Sequence, residues 1–270
     1  MIKILKDSIV SLLFNHQDNM GRFFIRLSYD GTDYHGWQLQ QNAHSVQAEL
    51  NEKLSTLLRQ QINVVGCGRT DAGVHAREFY AHFDVKKIQF TETDLVYKLN
   101  RFLPGDVAIN HIFAVEDEMH ARFSALSRTY KYFITRKKSP FQRQFSYLLN
   151  VPLDMDAMEQ AVKILTAYED FTSFSKLHTQ TATNICKITE AHWELVDNNL
   201  VFTITADRFL RNMVRAIVGT LLEIGKGKMK AQEMQKIIEA KDRSRAGFSV
   251  PAQGLFLERV VYPADFGLVE

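Results

Sequence analysis

The chain has 270 residues, 46% of them hydrophobic and 24% charged, enough for one large domain or two small ones sharing a core. A formal net charge of +2 argues against a uniformly basic nucleic-acid binder, so any polyanion-binding surface must arise from local clustering. Two cysteines far apart, Cys67 and Cys186, argue against a disulfide framework or structural zinc and for a reducing cytoplasm, and no apolar run approaches the ~20 residues of a membrane span.

Residues 1–20 carry a short apolar stretch, Ile9 to Phe14, with no A-x-A-like cleavage site and a polar continuation, which argues against a secretory signal. Patterned sequence begins after Met20. Residues 1–20 are therefore read as an N-terminal extension, unless translation starts at Met20. Arg22 to Ser28 alternates Phe23, Ile25 and Leu27 against arginines, a strand period, and Asp30-Gly31 is a turn signal. Ser45 can cap a helix with Val46, Leu50, Leu54, Leu57 and Leu58 at helical spacing. Ile62 to Val65 and Phe79 to Val85 read as strands, Asp94 to Phe102 as a short helix, and Val107 to Val115 as a strand. The order over 21–125 is β-α-β-β-α-β.

Residues 126–270 repeat it. Thr129 to Thr135 is a strand and Asp154 to Ala167 a helix with Met158, Ala161, Val162 and Leu165 on one side. Lys187 to Val196 and Leu200 to Ala206 are strands joined at Asp197-Asn198-Asn199. The longest helical pattern runs from Asp207 to Ile224, another helix covers Gln232 to Ala240, and a last strand covers Leu255 to Tyr262. Two such units predict an α+β fold of two ferredoxin-like (split βαβ) halves related by pseudo-symmetry, forming a continuous, mainly antiparallel sheet flanked by helices. With no Pro/Gly-rich linker between them, the halves are expected to pack tightly.

Charge is distributed unevenly. From Ala121 to Leu153 there is no Asp or Glu, whereas Arg122, Arg128, Lys131, Arg136, Lys137, Lys138 and Arg143 alternate with aromatic residues. Arg211, Arg215, Lys226, Lys228 and Lys230 form a second basic cluster, relieved only by Glu223. Cations that neutralise phosphates, interleaved with rings that can stack on unpaired bases, suit an RNA partner. A solvated basic edge over buried aromatics is the plainer alternative.

The segment Gly66 to Ala76, GCGRTDAGVHA, matches neither the dinucleotide-binding nor the Walker glycine pattern. His75, His82, His111 and His120 lack metal-ligand spacing, and Cys67 has no identifiable base partner. What remains is Arg69 and Asp71, two residues apart: a pair closing a turn, or a carboxylate held at a fixed angle for chemistry.

Ten segments in order resemble the bacterial tRNA pseudouridine synthase A family: YDGTDYHGWQ (29–38), SVQAEL (45–50), GRTDAGVHA (68–76), LPGD (103–106), HARFSA (120–125), RTYKY (128–132), DFTSF (170–174), FLRNMVR (209–215), KDRSRAG (241–247) and GLFL (254–257). They span almost everything after Met20, and one departure is Phe248, where the family usually has proline. The resemblance implies two ferredoxin-like halves, a homodimer, and isomerisation of uridine to pseudouridine at positions 38, 39 and 40 of the tRNA anticodon stem-loop. It makes Asp71 the catalytic carboxylate, as nucleophile or base, with Arg69 expected to orient it, Tyr130 the active-site tyrosine and Leu255 an apolar wall by the base. Arg122, Arg128, Lys131, Arg211, Arg215, Lys226 and Lys228 are the expected RNA contacts. The isomerisation adds no group and changes no redox state, so neither cofactor nor metal is expected. A non-catalytic RNA-binding or tRNA-folding module, or a synthase acting on other RNAs, is the alternative.

Overall fold

The computed structural model describes residues 20–86, 88–176, 183–197 and 199–264. The reading of residues 1–20 as an extension falls, Met20 apart, outside them.

In the first half, β1 (Gly21–Tyr29), β3 (His75–Val85) and β4 (Val107–Val115) form antiparallel pairs in the order β4-β1-β3, and the short β2 (Val65–Gly66) pairs with β3. In the second, β9 (Leu255–Val261), β5 (Ser127–Thr135), β8 (Asn199–Ala206) and β7 (Ile188–Val196) follow one another by antiparallel pairing. Both halves thus show the strand order of a split βαβ unit, and the predicted α+β class is borne out. They fuse where β3 and β9 run parallel, His75 opposite Phe256 and Ala76 opposite Leu257. β2 occupies only His82 and Ala81 on that edge of β3. The residues of β3 nearer its start are left for β9, which supplies partners to backbone groups that would otherwise sit unpaired at an edge. The loop joining β2 to β3, residues 67–74, therefore emerges at the seam between the halves.

Helices cover the apolar face. α1 (Val46–Leu58) is capped by the Ser45 hydroxyl, which accepts from the Ala48 N–H, and buries Val46, Leu50, Leu54 and Leu58. With Leu95 and Leu99 of α2 (Glu92–Phe102) these pack with Ile25, Leu27, Phe79 and Phe83 in one core. α3 (Met155–Leu165), α4 (Met213–Gly225) and α5 (Glu233–Ala240) close a second core around Tyr132, Ile134, Phe202 and Ile204.

Boundaries moved where side chains captured backbone groups. β2 starts at Val65 rather than Ile62 because the preceding residues bond to α1: Asn51 Oδ1 accepts from Val64 N, Gln47 Nε2 donates to Val64 O, and Ser55 Oγ accepts from Ile62 N. α4 begins at Met213, not Asp207. Asn212 is left-handed (φ 67°), and the Asp207 carboxylate accepts from the backbone N–H of Lys187 and Arg208. Residues 207–212 are thus a loop leading into the helix. A two-residue strand, β6 (Tyr147–Leu148), extends the edge of β5 and was not expected from the sequence.

Candidate active site

Asp71 lies in the seam loop, which the first half grips on both sides of the carboxylate. Thr70 is buried, its hydroxyl bonded to Tyr29 Oη (2.9 Å) and its carbonyl accepting from Trp37 N (3.3 Å), while Gly73 N donates to Tyr34 O (3.3 Å). Two glycines of the YDGTDYHGWQ segment allow this close packing. A Cβ on Gly31 would strike the Val74 carbonyl, and one on Gly36, already at φ 87°, would strike that of Thr70. The segment is thus a mould for the Asp71 loop.

The partners of the carboxylate come from the other half. Arg215 Nη1 donates to Asp71 Oδ2 at 3.2 Å, and Arg211 Nε stands 3.7 Å from Oδ1, close enough for an ion pair but too long for a hydrogen bond. Arg215 is itself fixed, its Nε donating to Val250 O at 2.8 Å. Its side chain is 20% exposed against 59% for Arg211, so solvent screens the Arg215 pair less and it is the stronger anchor. Arg69, expected to orient Asp71, instead donates from Nε to Gln38 Oε1 at 3.1 Å. Close spacing in sequence misled because Thr70, between the two residues, is fastened into the first half while Asp71 faces α4. Two arginines four apart near a helix start, the second with no Asp or Glu within four residues on either side to pair it, were the signal for these partners.

Tyr130 sits on β5, half-buried, with Phe209 edge-on at 5.1 Å. Burial raises the pKa of its phenol, and nearby Cys67 and Asp71 raise it further against an opposing effect of Arg128. The hydroxyl is therefore held neutral at ordinary pH. Tyr132, two residues on, is a core residue whose hydroxyl donates to Pro251 O. Leu255 is 6% exposed and shares the second core with Tyr132 and with Val74 of the Asp71 loop. It thus belongs to the packed wall behind the seam.

The expected RNA contacts divide. Arg122 is exposed, and its pKa is lowered by desolvation and by the repulsion of Arg69, Arg208 and Arg128, so these guanidiniums stand near enough to one another to interact. Phe123 beside it is 75% exposed, its ring under the Arg122 guanidinium and against His120. Arg128 is committed elsewhere. Its two terminal nitrogens donate to four backbone carbonyls, so it has little left for phosphate. Arg211 and Arg215 turn to Asp71, and Lys131 pairs with Glu194 at 3.3 Å. Lys226 and Lys228 flank Glu223 at 3.0 and 2.9 Å. Lys226 also lies over the ring of Phe248. The segment before Phe248 is held against α4 by Gly247 N donating to Thr220 Oγ1.

Among the described residues, no group of three or more His, Cys, Asp or Glu is arranged to hold a metal ion. A hollow of about 420 Å³ lined by Asp30, His75, Arg77, Asp106 and Phe256 is not lined by Asp71, Tyr130, Arg211 or Arg215.

Two split βαβ halves with one carboxylate ion-paired across their seam, beside a neutral tyrosine and a guanidinium cluster, define a class of scaffold suited to chemistry on a nucleic acid. Comparison with known families makes this specific: the family described as tRNA pseudouridine synthase matches residues 26–124 and 161–263, and the chain belongs to it. The tRNA pseudouridine synthase A of Bacteroides thetaiotaomicron is 53% identical over 249 residues, 91% of this chain and 92% of the relative. That of Porphyromonas gingivalis is 52% identical, covering 92% of this chain and 100% of its own length. That of Bacillus licheniformis is 40% identical over 87% of this chain and 97% of its own.

Proposed function

We propose that this chain converts uridine to pseudouridine at positions 38, 39 and 40 in the anticodon stem-loop of tRNA, with Asp71 as the reacting carboxylate. Family membership supports the isomerase activity on tRNA. The observation that carries the residue assignment is the Asp71 carboxylate held across the seam by Arg215 and Arg211.

In the reaction the N1–C1′ bond breaks, the uracil turns, C5 bonds to C1′, and the proton lost from C5 is balanced by one gained at N1. Asp71 serves as nucleophile or as base removing a sugar proton. Both routes need the anion, which the two arginines favour and aim. The ring of Tyr130 covers the uracil, and its neutral hydroxyl donates to the base or relays the C5 proton. Arg69, Arg122 and Arg208 neutralise phosphates around a flipped-out uridine, whose unstacking costs roughly a few kcal/mol. The protein works in the cytoplasm as a homodimer, with no cofactor.

The test is pseudouridine mapping in unmodified tRNA incubated with the purified protein. Conversion confined to the anticodon arm at 38–40 is the expected result. Conversion elsewhere would move the substrate assignment, and none at all would remove the catalytic one.

A further inference from the structure

Arg128 is placed by its hydrogen bonds in a position that a phosphate-binding residue would not occupy. Nη1 donates to Ala125 O (3.0 Å) and Asp207 O (2.8 Å), and Nη2 to Cys67 O (3.0 Å) and Arg122 O (2.6 Å). Four of the five guanidinium N–H bonds are used, on three separate stretches of chain. Cys67 opens the loop that carries Asp71, and its own N–H is tied to Tyr80 O. Arg122 and Ala125 belong to the crossing between the halves. Asp207 opens the loop 207–212, which carries Phe209 against Tyr130 and Arg211 toward Asp71. Arg128 itself stands two residues before Tyr130 on β5, on the same face of the strand.

We infer that Arg128 is a positioning residue for the reaction, a planar clamp that sets the Asp71 loop, the Arg122 crossing and the Phe209–Arg211 loop in register around Tyr130. The inference rests on the reading of Asp71 as the reacting group. A guanidinium suits the task because its donors form a rigid fork; a lysine ammonium at the same place is one point with three donors and cannot span four carbonyls. The charge is thus secondary to the shape. Loops released by about 1 Å misplace reacting groups, which lowers turnover about 100-fold without weakening the phosphate contacts made elsewhere.

The experiment compares wild-type protein with Arg128→Lys and Arg128→Gln on unmodified tRNA, well below each variant's melting temperature. Expected are a fall in kcat of about 100-fold in both variants, KM within a few-fold of wild type, and an unchanged dependence of tRNA binding on salt. Amide hydrogen exchange in the free protein should quicken in residues 67–72 and 207–212, also in Arg128→Lys if the glutamine variant does not fold. Near-wild-type turnover for Arg128→Lys, or a raised KM with a salt slope reduced by about one in Arg128→Gln, would mark a phosphate contact and overturn the inference. Unchanged exchange in both loops would overturn it equally. Wild-type protein that makes no pseudouridine fails the proposed function instead, while the exchange measurement still stands.

Discussion

Asp71 and Arg215 are 144 residues apart in sequence, yet the nitrogen and oxygen that join them are 3.2 Å apart. Asp71→Asn keeps the shape and removes the anion, so conversion should fall below detection while tRNA binding stays within a few-fold of wild type. Substantial turnover by pure Asp71→Asn protein would show that the carboxylate is not the reacting group. Arg215→Ala removes the part-buried hydrogen-bonded partner and leaves Arg211 at 3.7 Å, largely exposed. Its kcat should drop by about 10²-fold, more than that of Arg211→Ala, because loss of a charge-assisted hydrogen bond of about 1.5–3 kcal/mol frees the carboxylate to swing. The reverse order would assign the aiming to Arg211. The resemblance of GRTDAGVHA to the synthase family singled out Asp71 in the sequence. Its partner was not legible there, because Arg69 stood nearer along the chain, and only the seam brings α4 to the loop.

At the scale of elements, apolar periodicity located each α-helix and long strand among the described residues, since burial of one face dictates spacing, though not the three short 3-10 turns Thr172–Phe174, Arg243–Arg245 and Ala252–Gly254. It failed where polar side chains took over backbone groups, at residues 62–64 and 207–212. The crossing between the halves is held in this way. Buried His82 accepts through Nδ1 from Ala121 N (3.1 Å), and His120 Nδ1 accepts from Arg122 N (3.1 Å). Burial, Arg22 and His120 push the His82 pKa down to about 4, against a weaker opposing effect of Asp84. The unfolded chain therefore binds a proton that the folded one refuses between pH ~6.5 and ~4, and stability falls as pH falls through that window. For a residue 4% exposed the loss amounts to about 3 kcal/mol. Denaturant unfolding across pH 4–7 should show His82→Gln less stable than wild type at pH 7 and losing less on acidification. Parallel profiles would place the acid sensitivity elsewhere.

The whole molecule sets Asp71 at the seam and the Lys226–Lys228 pair at the far end of α4. A tRNA is longer than one such chain, so on the proposed reading a second copy would supply contacts to the elbow while the first holds the anticodon arm. Closed two-fold dimers are the commonest assembly, and phosphate contacts on two protomers would place several adjacent uridines within reach of one carboxylate without reading their sequence. Lys228 is 64% exposed and bound only to Glu223 among its described ion pairs, which leaves its outer side open to phosphate. Lys228→Glu should therefore raise KM for full-length tRNA more than for an isolated anticodon stem-loop, and reduce the salt slope of tRNA binding by about one. Light scattering at assay concentration should give the mass of a dimer. A fully active monomer, or equal losses on the two substrates, would place all the contacts on one protomer and confine them to the anticodon arm.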